Sequence, residues 1–280
     1  MLEPTFDVDA YFARIGYAGP RSPTSEVLAR ITERHTLSIP FENLDILLGW
    51  PIRIDIASIE RKLVHDRRGG YCFEHNGLLG GALRQLGFDV VSLGARARWM
   101  VPPEVATART HMLLSVGVDR AAGFGFEGEG RWLVDGGFGG VGVTAPLRID
   151  FNGEQPSLFE AQRIVAPPRG RLLQARLNGE WRDLYVFTGE PQEPIDFEMA
   201  NWFTSTHPKS RFQQNLIVTS AEPGVRSSLF NRELSIYRDG RVDKSLIDDP
   251  DELLEVLASR FRLPFPAGTR FGAPGAVWAR

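Results

Sequence analysis

RRGGYCFEHNGLLGGALRQLG, residues 67 to 87, contains the only cysteine of the 280-residue chain. Apolar residues follow Cys72 at the three- and four-residue spacing of a helix face: Leu78, Leu79, Ala82, Leu83 and Leu86. Gly87 then supplies a helix C-terminal stop. The pattern predicts a helix that begins at the cysteine itself.

The position of Cys72 favours a chemical role for the thiol. Unpaired N–H groups at a helix N-terminus stabilise a thiolate, and Arg67 and Arg68 would add positive charge. The Gly69-Gly70 pair would allow backbone and substrate to approach closely. The alternative is that Cys72 is a small buried side chain without chemistry, as free cysteines often are.

Composition restricts the other functions. The 32 basic and 35 acidic residues give a formal charge of -3, so the overall balance favours neither nucleic acid nor a membrane surface as partner. No apolar stretch approaches the roughly 20 residues that span a bilayer, and the start of the chain does not resemble a targeting segment. A single cysteine excludes an internal disulfide and a thiolate-rich zinc site. We expect a soluble cytoplasmic protein without a metal.

Three regions follow one another along the sequence. Residues 1–90 are helical in pattern, with Asp9 as an expected cap of the first helix and a third helix near Ile56 to Val64. Residues 91–192 contain short β-type runs and the hairpin signal Asn178-Gly179, which favours an antiparallel β-barrel.

Residues 193–280 mix helices and strands. IDFEMANWFTST reads as a helix in which Ile195, Met199 and Trp202 share one face. Asp239-Gly240 predicts a turn, and Asp249-Pro250 predicts the start of a last helix. The predicted fold class is therefore α+β: an N-terminal helical bundle, a central antiparallel barrel and a C-terminal α/β segment.

A cysteine nucleophile needs a base, and the chain offers five histidines. We expect His35 and His65 to be structural residues at helix ends. His75 shares the helix of Cys72 but should point along it, and His207 lies in a turn before a proline. His111 is the preferred base because it opens the apolar strand HMLLSVGV.

Asp135 is the expected partner of that base. It ends the strand WLVD, which should neighbour the strand of His111, so its carboxylate could bond the outer imidazole nitrogen. The chain order cysteine, histidine, acid is that of papain-like catalysis.

Two segments have the glycine spacing of a dinucleotide-binding loop, GFGFEG at 123–128 and GFGGVG at 137–142. We expect neither to open a helix, so no helix dipole would receive a pyrophosphate. They are interpreted as a hairpin loop and a loop beside the cleft.

Several motifs together resemble one family. RGGYCFEHNGLL at 68–79, THMLLSV at 110–116 and WLVDGGFGG at 132–140 are similar to the three signature segments of the arylamine N-acetyltransferases. IPFENLDI at 39–46 and STHPKSRF at 205–212 resemble two further family segments. The resemblance implies a helical first domain, a barrel second domain and an α/β third domain that acts as a lid, with a cysteine-peptidase-like catalytic core.

The resemblance also implies a mechanism. Cys72, His111 and Asp135 would form the triad, and Cys72 would carry an acetyl group as a thioester in a ping-pong cycle. Acetyl coenzyme A would be the donor, without a tightly bound cofactor. Arylamines, arylhydrazines or N-hydroxyarylamines would be the acceptors.

Binding residues follow from matching positions in the family. The expected substrate contacts are Phe41, Tyr71, Thr110, Phe138 and Phe212. Gly139 and Phe212 are the expected coenzyme contacts. For each phenylalanine an ordinary core position is the alternative. Gly136 departs from the family, which more commonly has a small apolar side chain after the acid, and this could loosen the strand end.

Other functions stay open at this stage. An amide synthase on the same scaffold would load a polyketide thioester and close a macrolactam. A cysteine peptidase or transglutaminase-like enzyme would work without coenzyme A, and a non-catalytic binding protein would have an unreactive thiol. The sequence leaves the oligomeric state open between monomer and homodimer.

Overall fold

The computed structural model describes residues 6–118 and 130–275 and has the predicted α+β class. Its helices are α1 (Val8–Ile15), α2 (Ser25–Ser38), α3 (Leu44–Leu47), α4 (Ile56–Glu60), α5 (Cys72–Gln85), α6 (Pro194–Thr206), α7 (Arg211–Gln214) and α8 (Pro250–Phe261). Its first six strands are β1 (Phe41–Glu42), β2 (Asp89–Ala97), β3 (Arg109–Gly117), β4 (Arg131–Val134), β5 (Leu147–Arg148) and β6 (Gln162–Val165). The others are β7 (Arg171–Leu177), β8 (Glu180–Pro191), β9 (Ile217–Glu222), β10 (Val225–Phe230), β11 (Glu233–Arg238) and β12 (Arg241–Leu246).

The N-terminal helices share one hydrophobic core. The first helix starts two residues earlier than expected, because Asp7 and not Asp9 is its cap: the Asp7 carboxylate accepts from the N–H groups of Asp9 and Ala10 over 2.9 Å each. The predicted third helix is confirmed as α4, continued by a π-helical turn over Arg61–His65.

The central sheet has seven strands in the order β5-β4-β3-β2-β8-β7-β6, and every pair of neighbours is antiparallel. Gln155 almost closes it into a barrel: its side chain bonds the backbone of Arg148 in β5, and its backbone bridges to Gln162 in β6. A second apolar core fills the inside. Asn178 and Gly179, both with positive φ, form the predicted turn between β7 and β8.

The C-terminal sheet has the order β1-β9-β10-β11-β12, with a third apolar core between it and α8. Strand β1 therefore comes from the helical region but pairs with β9, where Phe41 is opposite Thr219. This pairing anchors the segment after α2 against the C-terminal sheet. Asp249 caps α8 as predicted, and Pro250 is its first residue.

Helix α6 forms where predicted, but its apolar face does not face the core. Ile195, Met199 and Trp202 are all more than half exposed. The buried face contains Asn201, whose amide donates to the carbonyl of Ile52 over 3.0 Å. Phe197 is buried on the inward side as well and packs against Phe73 with 6.2 Å between ring centroids, so an aromatic contact and the hydrogen bonds of Asn201 together hold this side of the helix. Across the two described segments, every helix is too short or too polar to cross a bilayer.

Candidate active site

Cys72 is the first residue of α5, as predicted, and only 4% of its surface is exposed. Tyr71 precedes it as N-cap, and the backbone N–H of Tyr71 donates to the carboxylate of Glu74 over 3.0 Å. This reciprocal cap fixes the start of the helix. The sulfur lies 3.8 Å from the carbonyl oxygen of Thr110 in β3, so the helix N-terminus faces the barrel sheet.

A buried ion network supports this helix start. Lys62 bonds Glu74 and Asp45 over 2.7 Å each, and Arg68 bonds Asp45 and Glu42 over 2.7 Å each. The neighbouring carboxylates raise the pKa of Arg68 although burial opposes the rise. The expectation that Arg68 adds positive charge at the thiol was therefore wrong, because three carboxylates occupy this network.

His111 and Asp135 are joined as predicted. The Nε2 atom of His111 in β3 donates to Oδ2 of Asp135, directly after β4, over 2.7 Å. The two strands are neighbours, with Leu114 opposite Val134. Cys72 also acts on this imidazole, because its interaction with the ring contributes to the raised pKa of His111.

Electrostatics in this group favour a charged imidazole. Burial alone would lower the pKa of His111, but the charge and hydrogen bond of Asp135, together with Cys72, raise it to about 10. Burial likewise opposes ionisation of Asp135, yet His111 and the hydrogen bonds that the carboxylate accepts hold its pKa below the usual range. An imidazolium between a carboxylate and a sulfur is the arrangement that stabilises a thiolate.

Asn76 is a positioning residue that the sequence reasoning missed. Its amide nitrogen donates to Asp135 Oδ1 over 2.9 Å and to the carbonyl of Met112 over 2.7 Å, while its oxygen accepts from the N–H of Gly136 over 3.0 Å. It therefore connects α5 to both strands of the triad. Its position four residues after Cys72, on the same helix face, was the available signal.

The contacts of Asn76 also correct an expectation about Gly136. Instead of loosening the strand end, this residue is held through its backbone. Next to it, Gly137 donates its N–H to Asp135 Oδ1 over 2.9 Å. A Cβ on Gly137 would lie 2.5 Å from the Cα of Cys72, so only glycine permits this approach.

Two aromatic rings surround the imidazole. Phe138 meets His111 edge to face at 5.3 Å between ring centroids, and Tyr185 from β8 lies 4.8 Å away. Tyr185 was not predicted. Burial and the charge of Asp135 raise its pKa well above the usual value, so the phenol stays neutral.

The other predicted aromatic contacts form one cluster beside the start of α5. Phe212 packs against Phe41 at 6.1 Å and against Tyr71 at 5.7 Å between centroids. The Tyr71 hydroxyl donates to Asn201 in α6. Phe41 and Tyr71 are buried, and Phe212 is half-buried. The expectation that these rings line a cleft stays a prediction.

A cavity lies next to this cluster, between β9 and the loop that follows Asp135. Its lining includes three of the predicted site residues, Phe41, Asp135 and Gly139. Gly139 has φ +72° and packs on the ring of Phe41. The loop containing Gly139 does not open a helix, which confirms that GFGGVG is not a dinucleotide site of the expected kind. GFGFEG at 123–128 lies outside the described residues.

Two other histidines form a buried chain instead of a catalytic pair. His75 donates from Nε2 to the carbonyl of Pro40 over 3.2 Å, so its Nδ1 accepts from His35 Nε2 over 2.9 Å. His35 Nδ1 then accepts from the Tyr11 hydroxyl over 2.9 Å. Burial lowers the pKa of His75 to about 4 and that of His35 well below the usual value. His35 is therefore structural, as expected, but through side-chain bonds and not as a cap.

The last two histidines lie on the surface. His65 approaches Glu60 over 3.3 Å, and His207 stacks on Phe203 with 4.6 Å between ring centroids. Where the structure describes the chain, no three His, Cys, Asp or Glu side chains converge as metal ligands would.

Comparison with known proteins gives a consistent result. The sequence model of a family described as N-acetyltransferase matches residues 24–269. An arylamine N-acetyltransferase from Mycolicibacterium smegmatis is 40% identical over 257 residues, which are 91% of each chain. The arylamine N-acetyltransferase from Escherichia coli is 35% identical, and the match covers 90% of this chain and 87% of the E. coli enzyme.

Solved structures agree. The structure of the Mycobacterium marinum arylamine N-acetyltransferase in complex with CoA superimposes with a TM-score of 0.86 at 38% identity. The match covers 92% of this chain and 93% of that one.

Proposed function

Because the chain belongs to the N-acetyltransferase family, we propose that it transfers an acetyl group from acetyl coenzyme A to the nitrogen of arylamines, arylhydrazines or N-hydroxyarylamines. The observation that carries the proposal is the bond between His111 and Asp135, with Cys72 as the second partner of the imidazole. We assign these three residues as the catalytic triad.

In the first half-reaction the Cys72 thiolate attacks the carbonyl carbon of acetyl coenzyme A. A bond forms between Sγ and the acetyl carbon, and the bond from that carbon to the coenzyme sulfur breaks. The leaving thiolate takes a proton from the His111 imidazolium, and coenzyme A departs as the free thiol. The anionic Asp135 stabilises the imidazolium before this step and orients the ring throughout.

In the second half-reaction the acceptor nitrogen attacks the acetyl thioester on Cys72. The nitrogen–carbon bond forms as the carbon–sulfur bond breaks, and His111 takes the proton that the nitrogen loses. The thiolate–imidazolium pair is then restored. A thioester suits a weakly basic aromatic amine because its carbonyl is more reactive than that of an amide or ester.

Aromatic acceptors fit the surroundings of the thiol. We propose that Phe41, Tyr71, Phe138 and Phe212 contact the acceptor ring, with Thr110 beside the base and Gly139 and Phe212 towards the coenzyme. The two aromatic clusters described above support this assignment, because both adjoin the residues of the triad.

We further propose that the regions 1–90, 91–192 and 193–280 act as three domains. Three apolar cores support this division, although the first also contains barrel residues such as Leu114, and the third contains Leu44 and Leu47 from the first region. The barrel region would carry the base and its carboxylate, and the last region would act as a lid. The balanced charge of the chain and its single cysteine favour the cytoplasm as the place of action.

Steady-state kinetics test the proposed reaction. With acetyl coenzyme A and an anisidine as varied substrates, initial rates should give the parallel double-reciprocal lines of a ping-pong mechanism. Asp135→Asn should fold and lose roughly 10⁴-fold in kcat, because the imidazole loses its orienting anion. The exposed Asp243→Asn is the matched control and should keep the wild-type rate. Intersecting lines, or an active Asp135→Asn protein, would contradict the proposal.

A further inference from the structure

A second cavity opens between the C-terminal ends of α1, α2 and α8 and the strand β9. No residue assigned to acetyl transfer lines it. Its lining contains four arginines, Arg14, Arg67, Arg260 and Arg262, and a single carboxylate, Glu222. The cavity wall is therefore strongly basic in a chain whose total charge is slightly negative.

The single carboxylate is already paired. Arg262 Nη2 bonds Glu222 Oε1 over 2.5 Å, at a surface position. Arg14 donates only to neutral acceptors, the carbonyl oxygens of Leu63 and Ser38, over 2.9 and 2.7 Å. Three guanidinium charges in this wall therefore have no neutralising anion among the lining residues.

Two of these arginines also have free donors. Arg260 donates from Nε to the Ser227 hydroxyl over 2.8 Å, but its Nη2 atom is buried without a hydrogen-bond partner. Arg67 makes no side-chain hydrogen bond or ion pair with any residue that the structure describes. Arg67 is exposed, so Arg260 Nη2 is the buried donor of this pair without a partner. Buried donors are normally satisfied, and an anion held in the cavity would supply the acceptor for this nitrogen.

The positive charges of these arginines repel one another. Burial first, and then the nearby charges of Arg67 and Arg262, lower the pKa of Arg14 to about 10. This repulsion would be relieved by an anion in the cavity.

Two of the arginines have a backbone conformation that determines which substitutions can test them. Arg67 has φ 54° and Arg262 has φ 59°, in the left-handed region where glycine is the least costly residue. Arg262 is the C-cap of α8, and Arg67 follows the π-helical turn Arg61–His65, so both conformations belong to helix ends. Glycine can therefore replace either arginine without backbone strain.

We propose that this cavity binds a phosphate group, either as a free anion or as part of a larger molecule such as coenzyme A. Planar guanidinium groups form paired hydrogen bonds with phosphate oxygens, and several arginines together match a doubly charged oxyanion. None of the lining residues takes part in the proposed chemical step. Binding of a free anion would be independent of the proposed function, whereas binding of a coenzyme phosphate rests on it.

The cavity shares a wall with the one that reaches Asp135. Four residues line both: Thr36, Ile39, Ser220 and Ala221. A phosphate held by the arginines would thus lie across this wall from the carboxylate of the triad. Both free phosphate and a coenzyme phosphate are compatible with that position, so the experiment separates them.

Thermal unfolding with inorganic phosphate, at constant ionic strength set by sodium chloride, tests the proposal. The wild-type midpoint should rise with phosphate and saturate, because the ligand binds only the folded state. The test variants are Arg67→Gly and Arg262→Gly. Glycine suits both backbone positions, so these proteins should be at least about as stable as wild type without phosphate. Each should bind phosphate at least about tenfold more weakly.

Two control variants test whether weaker phosphate binding comes from the loss of the cavity arginines, and not from the change in backbone conformation or in total charge. Met100→Gly changes a residue with φ 56° outside the cavity lining, and Arg241→Gly removes an exposed positive charge from β12. Both should keep the wild-type response to phosphate. A midpoint that does not change with phosphate, or that rises equally in Arg67→Gly and Arg262→Gly, would overturn the proposal.

Coenzyme A identifies the source of the phosphate. If free phosphate binds and leaves the KM for acetyl coenzyme A unchanged, the site takes a free anion. If phosphate competes with acetyl coenzyme A and the two glycine variants raise that KM, the site takes a phosphate of the cosubstrate. Either result supports a phosphate site. The proposal is refuted if neither the binding of phosphate nor the KM for acetyl coenzyme A changes in Arg67→Gly and Arg262→Gly.

Discussion

Asn76 donates a hydrogen bond to Asp135 over 2.9 Å and thereby connects the helix of the nucleophile to the carboxylate that orients the base. The same side chain bonds the backbone of Met112 and Gly136. Three groups from two segments, the strand β3 and the residues directly after β4, are thus held by one buried amide.

Asn76→Ala should therefore reduce both stability and rate. The mutation leaves a buried carbonyl and a buried N–H without partners, and we expect the free energy of unfolding to fall by about 2–4 kcal/mol. We expect kcat to fall by roughly tenfold or more, since Asp135 loses a fixed neighbour. Chemical denaturation and steady-state kinetics measure the two effects. The exposed Asn152→Ala should change neither, and wild-type kinetics in Asn76→Ala would refute the positioning role.

The raised pKa of His111 predicts how stability depends on alkaline pH. The folded state holds the proton up to about pH 10, whereas the unfolded state releases it near 6.5. The charged pair therefore stabilises the fold fully below 6.5, and this contribution is lost as the pH rises from 6.5 to about 10. The slope should reach about 1.4 kcal/mol per pH unit. Asp135→Asn should reduce this slope of unfolding free energy against pH. An unchanged slope in that variant would contradict the prediction that the charged pair stabilises the fold.

The histidine chain predicts the opposite dependence at acid pH. His75 stays neutral in the fold down to about pH 4, but in the unfolded state it binds a proton near 6.5. Stability should consequently decrease as the pH falls from 6.5 towards 4, and His75→Gln should reduce this slope by up to about 1.4 kcal/mol per pH unit. Denaturant titrations at a series of pH values measure this change in unfolding free energy. A slope between pH 6.5 and 4 that is unchanged in His75→Gln would exclude the predicted cause.

The ion network before Cys72 predicts a large loss from a single substitution. Lys62→Met leaves Glu74 and Asp45 without the cation that bonds both, and Glu74 is 2% exposed. Removing one partner of a buried pair typically costs about 3–5 kcal/mol. The exposed Arg30, paired with Glu26 one helical turn away, is the matched control, and Arg30→Met should cost less than about 0.5 kcal/mol. Similar losses of unfolding free energy in the two variants would mean that burial of the network does not add to its contribution to stability.

The sequence predicted the parts of the site that depend on local pattern. The start of α5 at Cys72 follows from the helical spacing after it, and Asp135 follows from the end of an apolar strand. His111 could be chosen because a polar residue at a strand end is conspicuous. The order of helices, barrel and mixed region was predicted from the change in periodicity along the chain.

Contacts between residues that are far apart in the chain could not be predicted from the sequence. Tyr185 reaches His111 because β8 pairs with β2, which in turn pairs with β3, and no local pattern indicates that order. The role of Arg68 depends on Glu42 and Asp45 in a distant segment. The apolar spacing in α6 was misleading because the buried side contains Phe197 and the hydrogen-bonded Asn201 instead of the three predicted residues. The basic cavity was not predicted, since its four arginines come from three separate segments.

The most direct test of the central claim is intact-protein mass spectrometry after brief mixing with acetyl coenzyme A and no acceptor, followed by peptide mapping. We predict one added acetyl group on Cys72, which leaves as the acetylated amine when an aminobenzoate or an anisidine is added. Cys72→Ala should remain unmodified. A Cys72 that stays bare with acetyl coenzyme A but accepts another acyl group from a different thioester would contradict acetyl transfer and favour an amide synthase.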